Sequence, residues 1–240
     1  MIYQAWEEPS RKKRVALAHR ALEASANCAD AFVLLAEEEA KTGQAERELY
    51  QSGVEAGRRA LGEGFFQDEK NVGHFWGLLE TRPFMRALAG LAGVQWHLGQ
   101  RDEALASQQE LLRLNPNDNQ GIRYLLLRHL LELGRDDQAR LLLKSYHDDG
   151  AAEWAYSEAL LAFRCSGESG AANRALARAL EANRHVPAYL SGKKRIPLHL
   201  PDALSPGRED EAVDYAAAAL QVWRVTPGAL DWLRRQALTP

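Results

Sequence analysis

Apolar residues recur every three or four positions through most of the chain, a spacing that predicts amphipathic α-helices. The pattern itself repeats, because the segment LGQRDEA at 98–104 recurs as LGRDDQA at 133–139, 35 residues later. Each copy is a helix-stopping glycine followed by a charged turn, and each lies between two apolar helical patterns. One helix pair of this size cannot bury its apolar face alone, so the repeat predicts helix pairs that stack on one another.

Glycine, proline and capping residues mark where the predicted helices begin and end. Gly99 and Gly134 stop helices, Pro83 and Pro227 occupy first-turn positions, and Ser10 stands at an N-cap. The predicted helices run over residues 10–24, 31–41, 44–61, 83–98, 102–114, 119–133, 136–146, 151–164, 170–182, 208–223 and 227–237. Prolines clustered within 186–207 predict that this segment is mostly irregular or short helix.

These elements divide the chain into four predicted segments of one continuous helical array. Residues 1–62 hold the N-terminal helices of degenerate repeats, and residues 63–82 form an insertion rich in glycine and aromatic residues. Residues 83–185 hold three regular helix pairs. Residues 186–240 hold the proline-rich segment and two helices that we expect to cap the array, because an uncovered terminal repeat would expose its apolar face.

Composition fits a folded helical protein and argues against several classes of function. Hydrophobic residues make up 46% of the chain, and helix-favouring alanine, leucine, glutamate and arginine dominate. A net charge of −3 does not provide the concentrated basic face that nucleic-acid binding needs. No apolar run is long enough to cross a bilayer and the first residues do not resemble a signal peptide, so we expect a cytoplasmic protein without membrane insertion.

Sequence motifs of catalysis and metal binding are absent. The seven histidines have no ligand spacing, and no nucleophile elbow, phosphate loop or dinucleotide fingerprint occurs. The cysteines, Cys28 and Cys165, are far apart and isolated, which favours buried free thiols in a reducing compartment over a disulfide. We therefore predict a protein that is not an enzyme and has no catalytic residue, cofactor or metal site.

The repeat resembles the tetratricopeptide repeat, whose period is about 34 residues. Pro116 falls where that family closes a repeat, whereas Leu127 and Leu160 replace residues that are usually small. The small residues that do match the family are Ala92, Ala104, Ala139, Ala172 and Ala179. The resemblance implies an all-α, tetratricopeptide-type helix-hairpin solenoid with a helical C-terminal cap.

A narrower resemblance rests on three sequence blocks. They are residues 73–86 (GHFWGLLETRPFMR), 115–121 (NPNDNQG) and 183–190 (NRHVPAYL), with shorter matches at 210–213 and 228–230. Together they are similar to the soluble part of the suppressor of tumorigenicity 7 family and its bacterial relatives. Animal members of that family carry membrane-spanning segments, and a membrane location is not carried over because the present chain shows no such segment.

The first helix of each pair supplies the candidate partner-binding residues. Tetratricopeptide solenoids bind peptides on the exposed face of their first helices, and aromatic and arginine side chains are effective interface anchors. On that face we place Arg86, Trp96, His97, Tyr124, Arg128 and Trp154. We thus expect a non-catalytic adaptor that holds a peptide or helix of a partner protein. The alternative is that the aromatic residues simply pack between helices.

The insertion carries a second candidate site. His74, Trp76, Arg82 and Arg86 combine aromatic faces with guanidinium groups near a helix start, which suits a receptor for a small anion or metabolite. The alternative is an aromatic plug that fills an irregular junction, with its arginines paired to acids such as Glu80.

The N-terminal end offers a third surface. Tyr3 and Trp6 lie beside an open end of the array, which suits docking or a homodimer through this end. Alternatively, residues 1–9 fold back as a cap.

Overall fold

A computed structural model describes residues 2–237, and every regular element within that range is helical. The predicted all-α class is therefore confirmed. The helices are α1 (Ile2–Glu7), α2 (Arg11–Ala24), α3 (Ala29–Glu38), α4 (Gly43–Leu61), α5 (Arg82–His97), α6 (Arg101–Leu114), α7 (Ile122–Glu132), α8 (Asp136–Ser145), α9 (Ala152–Ser166), α10 (Gly170–Ala182), α11 (Val186–Leu190), α12 (Glu209–Val225) and α13 (Ala229–Ala237). Three short 3₁₀ turns, Glu63–Phe66, Phe75–Gly77 and Leu79–Thr81, lie between α4 and α5.

Capping contacts explain where the observed helix ends differ from the predicted ones. The predicted helix 31–41 is α3, which begins at Ala29 and stops at Glu38, because Thr42 already caps α4 by accepting the Ala45 N–H at 3.1 Å. The start of α7 is later than residue 119, since the Asp118 carboxylate accepts the Ile122 N–H at 2.7 Å. No helix among residues 2–237 is both long and apolar enough to cross a bilayer.

The chain forms two compact units that divide between Leu126 and Leu127, inside α7. In the first unit consecutive helices pack against each other from α1 to α6, and α3 also contacts α5. Apart from the insertion between α4 and α5, the connections are short and produce helix hairpins. The tetratricopeptide-type arrangement and the four-segment division of the chain stay predictions.

Helix α1 covers small residues at the start of the first unit. Ala5 is buried against Ala18, Ala21 and Ala31, whose lack of bulk lets the helices approach closely. The segment therefore packs back on α2 and α3, while Tyr3 on the same helix stays exposed, as does Trp6. A homodimer through this surface stays a prediction.

The insertion places its phenylalanines inside the first unit. Phe66 packs edge-on against Phe84 with ring centroids 4.9 Å apart, and Phe75 lies 5.3 Å from Phe66. The Thr81 hydroxyl is buried and bonds to the Phe75 and Leu78 carbonyls. The insertion is therefore a packed part of the first unit, held by an aromatic cluster at the start of α5.

Two glycines of α5 have different surroundings. Gly90 lies under the Tyr50 ring of α4, and a Cβ atom at this position would overlap that ring. At Gly93, one turn further along, a Cβ atom would meet nothing within 4 Å. Of these two glycines of α5, Gly90 is therefore the one that helix packing requires.

We expect opposite effects from alanine at these two positions. Gly93→Ala raises the free energy of unfolding by about 0.5–1 kcal/mol, because alanine favours the helix over the unfolded chain. Gly90→Ala gains the same propensity but displaces Tyr50, so it lowers the free energy of unfolding by about 1–3 kcal/mol. Urea denaturation of both variants measures the difference. The same sign at both positions would contradict the close packing of Tyr50 on α5.

The C-terminal helices contribute much of the core of the second unit. Tyr156 of α9 packs on Tyr215 of α12, with ring centroids 5.6 Å apart. Trp232 of α13 stacks on Phe163 at 4.7 Å and on Trp223 at 6.3 Å. Both Trp223 and Trp232 are fully buried. Helices α12 and α13 are thus integral to this unit, whereas the proline-rich segment before them is largely exposed and contains one short helix, α11.

Candidate functional site

Arg86 of α5 is held by a buried carboxylate. Its Nε and Nη2 atoms donate to the two oxygens of Asp30 at 2.8 and 2.6 Å. The Asp30 side chain is only 3% exposed, whereas Arg86 is about one-third exposed. A bidentate pair of this kind is strong and directional. Arg86 therefore has a structural partner on α3 as well as an accessible surface.

Arg128 of α7 joins two acidic side chains in the second unit. Its Nε donates to Glu153 of α9 at 2.7 Å, and its Nη2 donates to Asp214 of α12 at 2.9 Å. Burial raises the pKa of the Glu153 carboxyl and outweighs the lowering by Arg128. Burial also lowers the pKa of Arg128, but Glu153 and Asp214 outweigh it and raise that pKa. Three helices thus share one charge cluster.

The aromatic candidates contact neighbouring cations or carbonyls. The Arg101 guanidinium lies 3.8 Å from the centre of the Trp96 ring, and that of Arg123 lies 4.4 Å from the centre of the Tyr124 ring. Trp154 is 4% exposed and its indole N–H points to the Leu143 carbonyl at 3.4 Å. Trp154 therefore packs inside the second unit, in line with the alternative that the aromatics lie between helices.

The six predicted groove residues are divided between the two units. Arg86, Trp96, His97 and Tyr124 belong to the first, whereas Arg128 and Trp154 belong to the second. Within the first unit, one side of α5 carries an accessible row that we call the α5 track. The α5 track consists of Arg86, Ala89, Gly93, Trp96 and His97. Their spacing of three or four residues places them on one helix face, with small residues between the charged and the aromatic end.

A polar pocket lies at the start of α5, and we call it the insert pocket. Its volume is about 380 Å³. It is lined by His74, Trp76, Gly77, Arg82, Asn115, Asn117 and Asn119. The structure thus brings together three of the four residues predicted for the anion receptor. The fourth, Arg86, is absent from the lining because it pairs with Asp30.

Arg82 is fixed in the insert pocket by Trp76. Its Nε donates to the Trp76 carbonyl at 2.9 Å, and its guanidinium carbon lies 5.6 Å from the centre of the Trp76 ring. These contacts leave the N–H groups of both terminal nitrogens without a carboxylate partner among residues 2–237. The expected pairing of Arg82 with an acid such as Glu80 is therefore not observed.

A second cleft, of about 700 Å³, lies in the second unit between α8, α9 and α10. Cys165 lines it and is exposed, and its Sγ atom lies 2.8 Å from Nη2 of Arg140. Cys28 is only partly buried. Both thiols are free, but the prediction that both are buried was wrong for Cys165, because its side of α9 faces this cleft.

The chain matches one protein family along nearly its whole length. The family model described as ST7 protein matches residues 1–236 of the chain. The chain belongs to the ST7 family. The human protein named suppressor of tumorigenicity 7 protein-like is 30% identical over 254 positions, covering 98% of this chain and 44% of the human protein. Its rat counterpart is 31% identical, covering 98% and 45% of the two chains. The Drosophila melanogaster protein named ST7 homolog is 29% identical, covering 97% and 47%.

The ST7-family chain spans less than half the length of these three relatives. Its insert pocket joins two of the blocks that carried the family resemblance, residues 73–86 and 115–121. The sequence predicts a turn only at 115–118, before a helix from residue 119, and no site was predicted at Asn115 or Asn117. The run of three asparagines in five residues was the available signal, because such a loop offers several amide donors at once.

Proposed function

We propose that this ST7-family chain is a non-catalytic protein-interaction adaptor that holds a peptide or helix of a partner protein along the α5 track. The proposal includes tetratricopeptide-type stacking of the helix pairs, in which α5 is a first helix. The observation that supports it is the composition of the track, because Ala89 and Gly93 add little bulk between Arg86 and Trp96, and a Cβ atom at Gly93 would meet nothing within 4 Å.

The ends of the α5 track have the chemistry of interface anchors. Arg86 is oriented by Asp30 and still partly exposed, so it can donate to an acidic group of a partner without being reordered. Trp96 and the exposed His97 offer aromatic surface at the other end. A partner segment lying along the track would therefore meet a charged anchor, a centre of small residues and an aromatic anchor.

Gly93→Arg tests the proposal without disturbing the fold. Its Cβ atom enters open space and arginine is a better helix former than glycine, so thermal stability should be kept or raised. We expect a protein captured from cell lysate by the wild type, and identified by mass spectrometry, to be lost from Gly93→Arg. The matched control is Ala106→Arg, which adds the same side chain at an exposed position of α6.

The control decides how the capture is interpreted. A partner retained by Ala106→Arg and lost from Gly93→Arg supports binding along the α5 track. Capture of the same proteins by all three chains would contradict it. Purified partner and isothermal titration calorimetry should then give at least about a tenfold weaker affinity for Gly93→Arg, since a bulky side chain in the centre of an interface costs at least about 1.4 kcal/mol.

A further inference from the structure

We infer that the insert pocket binds a small molecule that carries a carboxylate or phosphate group, and that the Arg82 guanidinium holds this group. The pocket is separate from the α5 track and the inference does not rest on partner binding. Four features of the pocket support this inference: its positive charge, the pairing of the nearby acid with other groups, its position at a helix start, and its size.

The insert pocket has one fixed positive charge and no acidic lining residue. Arg82 lines it, and none of the other lining residues is aspartate or glutamate. In this respect Arg82 differs from Arg86, Arg123 and Arg128, each of which pairs with a buried or half-buried carboxylate. The planar fork of a guanidinium matches the two oxygens of a carboxylate or phosphate. An anion would supply the partner that the protein supplies elsewhere.

The loop opposite Arg82 has its single acid turned away from the pocket. Asp118 lies between Asn117 and Asn119, yet its carboxylate accepts the Ile122 and Arg123 N–H groups at 2.7 and 2.9 Å. It also pairs with the Arg123 guanidinium at 3.1 Å, and its side chain is 1% exposed. The loop thus presents neutral amides to the pocket, and amide N–H groups can donate to an anion.

The position and size of the pocket fit the same ligand. Arg82 is the first residue of α5, and the start of a helix of 16 residues carries partial positive charge. A volume of about 380 Å³ lies near the lower end of the range for small-molecule pockets, about 300–1,000 Å³. The pocket therefore suits a compact carboxylate or phosphate compound.

The test uses sodium phosphate and sodium succinate as probes, with sodium chloride at matched ionic strength as the control. Isothermal titration calorimetry and ¹⁵N NMR follow binding to the whole chain. We expect saturable binding of at least one probe, with NMR shifts centred on residues 74–82 and 115–119. Phosphate binding without succinate binding identifies a phosphate ligand, and the reverse identifies a carboxylate ligand.

Three variants separate this site from general charge effects. Arg82→Gln should weaken binding by about tenfold or more, because a charge-assisted fork is lost. Asn117→Asp is isosteric and exposed, so it should keep the melting temperature but repel the anion. Arg58→Gln removes another aromatic-stacked guanidinium of the first unit, 4.6 Å from the centre of the Phe66 ring, and should bind as the wild type does.

Several results would overturn the inference. They are the failure of both probes to bind the wild type, unchanged affinity in Arg82→Gln and Asn117→Asp, or an equal loss of affinity in Arg58→Gln. If Arg82→Gln does not fold, Asn117→Asp alone decides, since its backbone and side-chain volume are unchanged.

Discussion

Arg128→Ala should lower the free energy of unfolding by about 3–5 kcal/mol, because it leaves the Glu153 carboxylate buried without its counter-charge. The Glu153 side chain is 7% exposed, so its carboxylate depends on the guanidinium for most of its stabilisation. Urea denaturation with the same m-value for variant and wild type measures the loss. The matched control is Arg140→Ala, whose exposed pair with Asp137 should contribute little to stability.

A second substitution at the acid identifies the cause of that loss. Adding Glu153→Gln to Arg128→Ala removes the buried charge and should restore part of the stability. Without such rescue, or with a loss below about 1 kcal/mol, the cluster would be a surface contact of little weight.

The pH dependence of Arg128→Ala has a definite sign. Burial raises the pKa of Glu153 above its ordinary value of 4.5, and loss of Arg128 raises it further. A raised pKa in the folded state means that the folded protein takes up a proton more readily than the unfolded chain. The loss of unfolding free energy in the variant, relative to the wild type, should therefore be smallest near pH 4.5. It should grow as the pH rises through the folded-state pKa of Glu153.

Trp232→Ala is expected to cost about 3–5 kcal/mol of unfolding free energy, because it empties a fully buried site between Phe163 and Trp223. The indole N–H also donates to Asn173 at 2.8 Å, which ties α13 to α10. Urea denaturation followed by far-ultraviolet circular dichroism measures the loss.

Trp232→Phe is the matched control for this site. It keeps most of the apolar contact and gives up the hydrogen bond to Asn173, so a smaller loss of about 0.5–1.5 kcal/mol is expected from that bond. A loss below about 1 kcal/mol for Trp232→Ala would show that α13 is only a loosely attached cap.

The helices were predictable from sequence because their signals are local. Apolar spacing defines each helix, and a glycine or proline within a few residues defines its end, as at Gly99 and Pro83. The observed helix ends differ from the predicted ones where a side chain caps the helix and the apolar pattern does not show it, as Asp118 does before α7.

The contacts of the predicted site residues depend on partners that are distant in sequence. Arg86 meets an acid 56 residues earlier, and Arg128 meets one 86 residues later, so no helical pattern could show that both are engaged in ion pairs. The insertion illustrates the same limit. Its composition was compatible with either an aromatic plug or a binding pocket. In the fold its phenylalanines pack inside the first unit, and Trp76 and Arg82 line a pocket.

The long-range ion pairs limit how this architecture can change in length. Arrays of identical repeats gain and lose copies readily, because every junction is equivalent. Here Asp30 is matched to an arginine on a later helix, while Glu153 is matched to an arginine on an earlier one. Deleting the helix that holds either arginine would leave a buried carboxylate without its counter-charge. Chains that lose either of these helices should therefore be unstable.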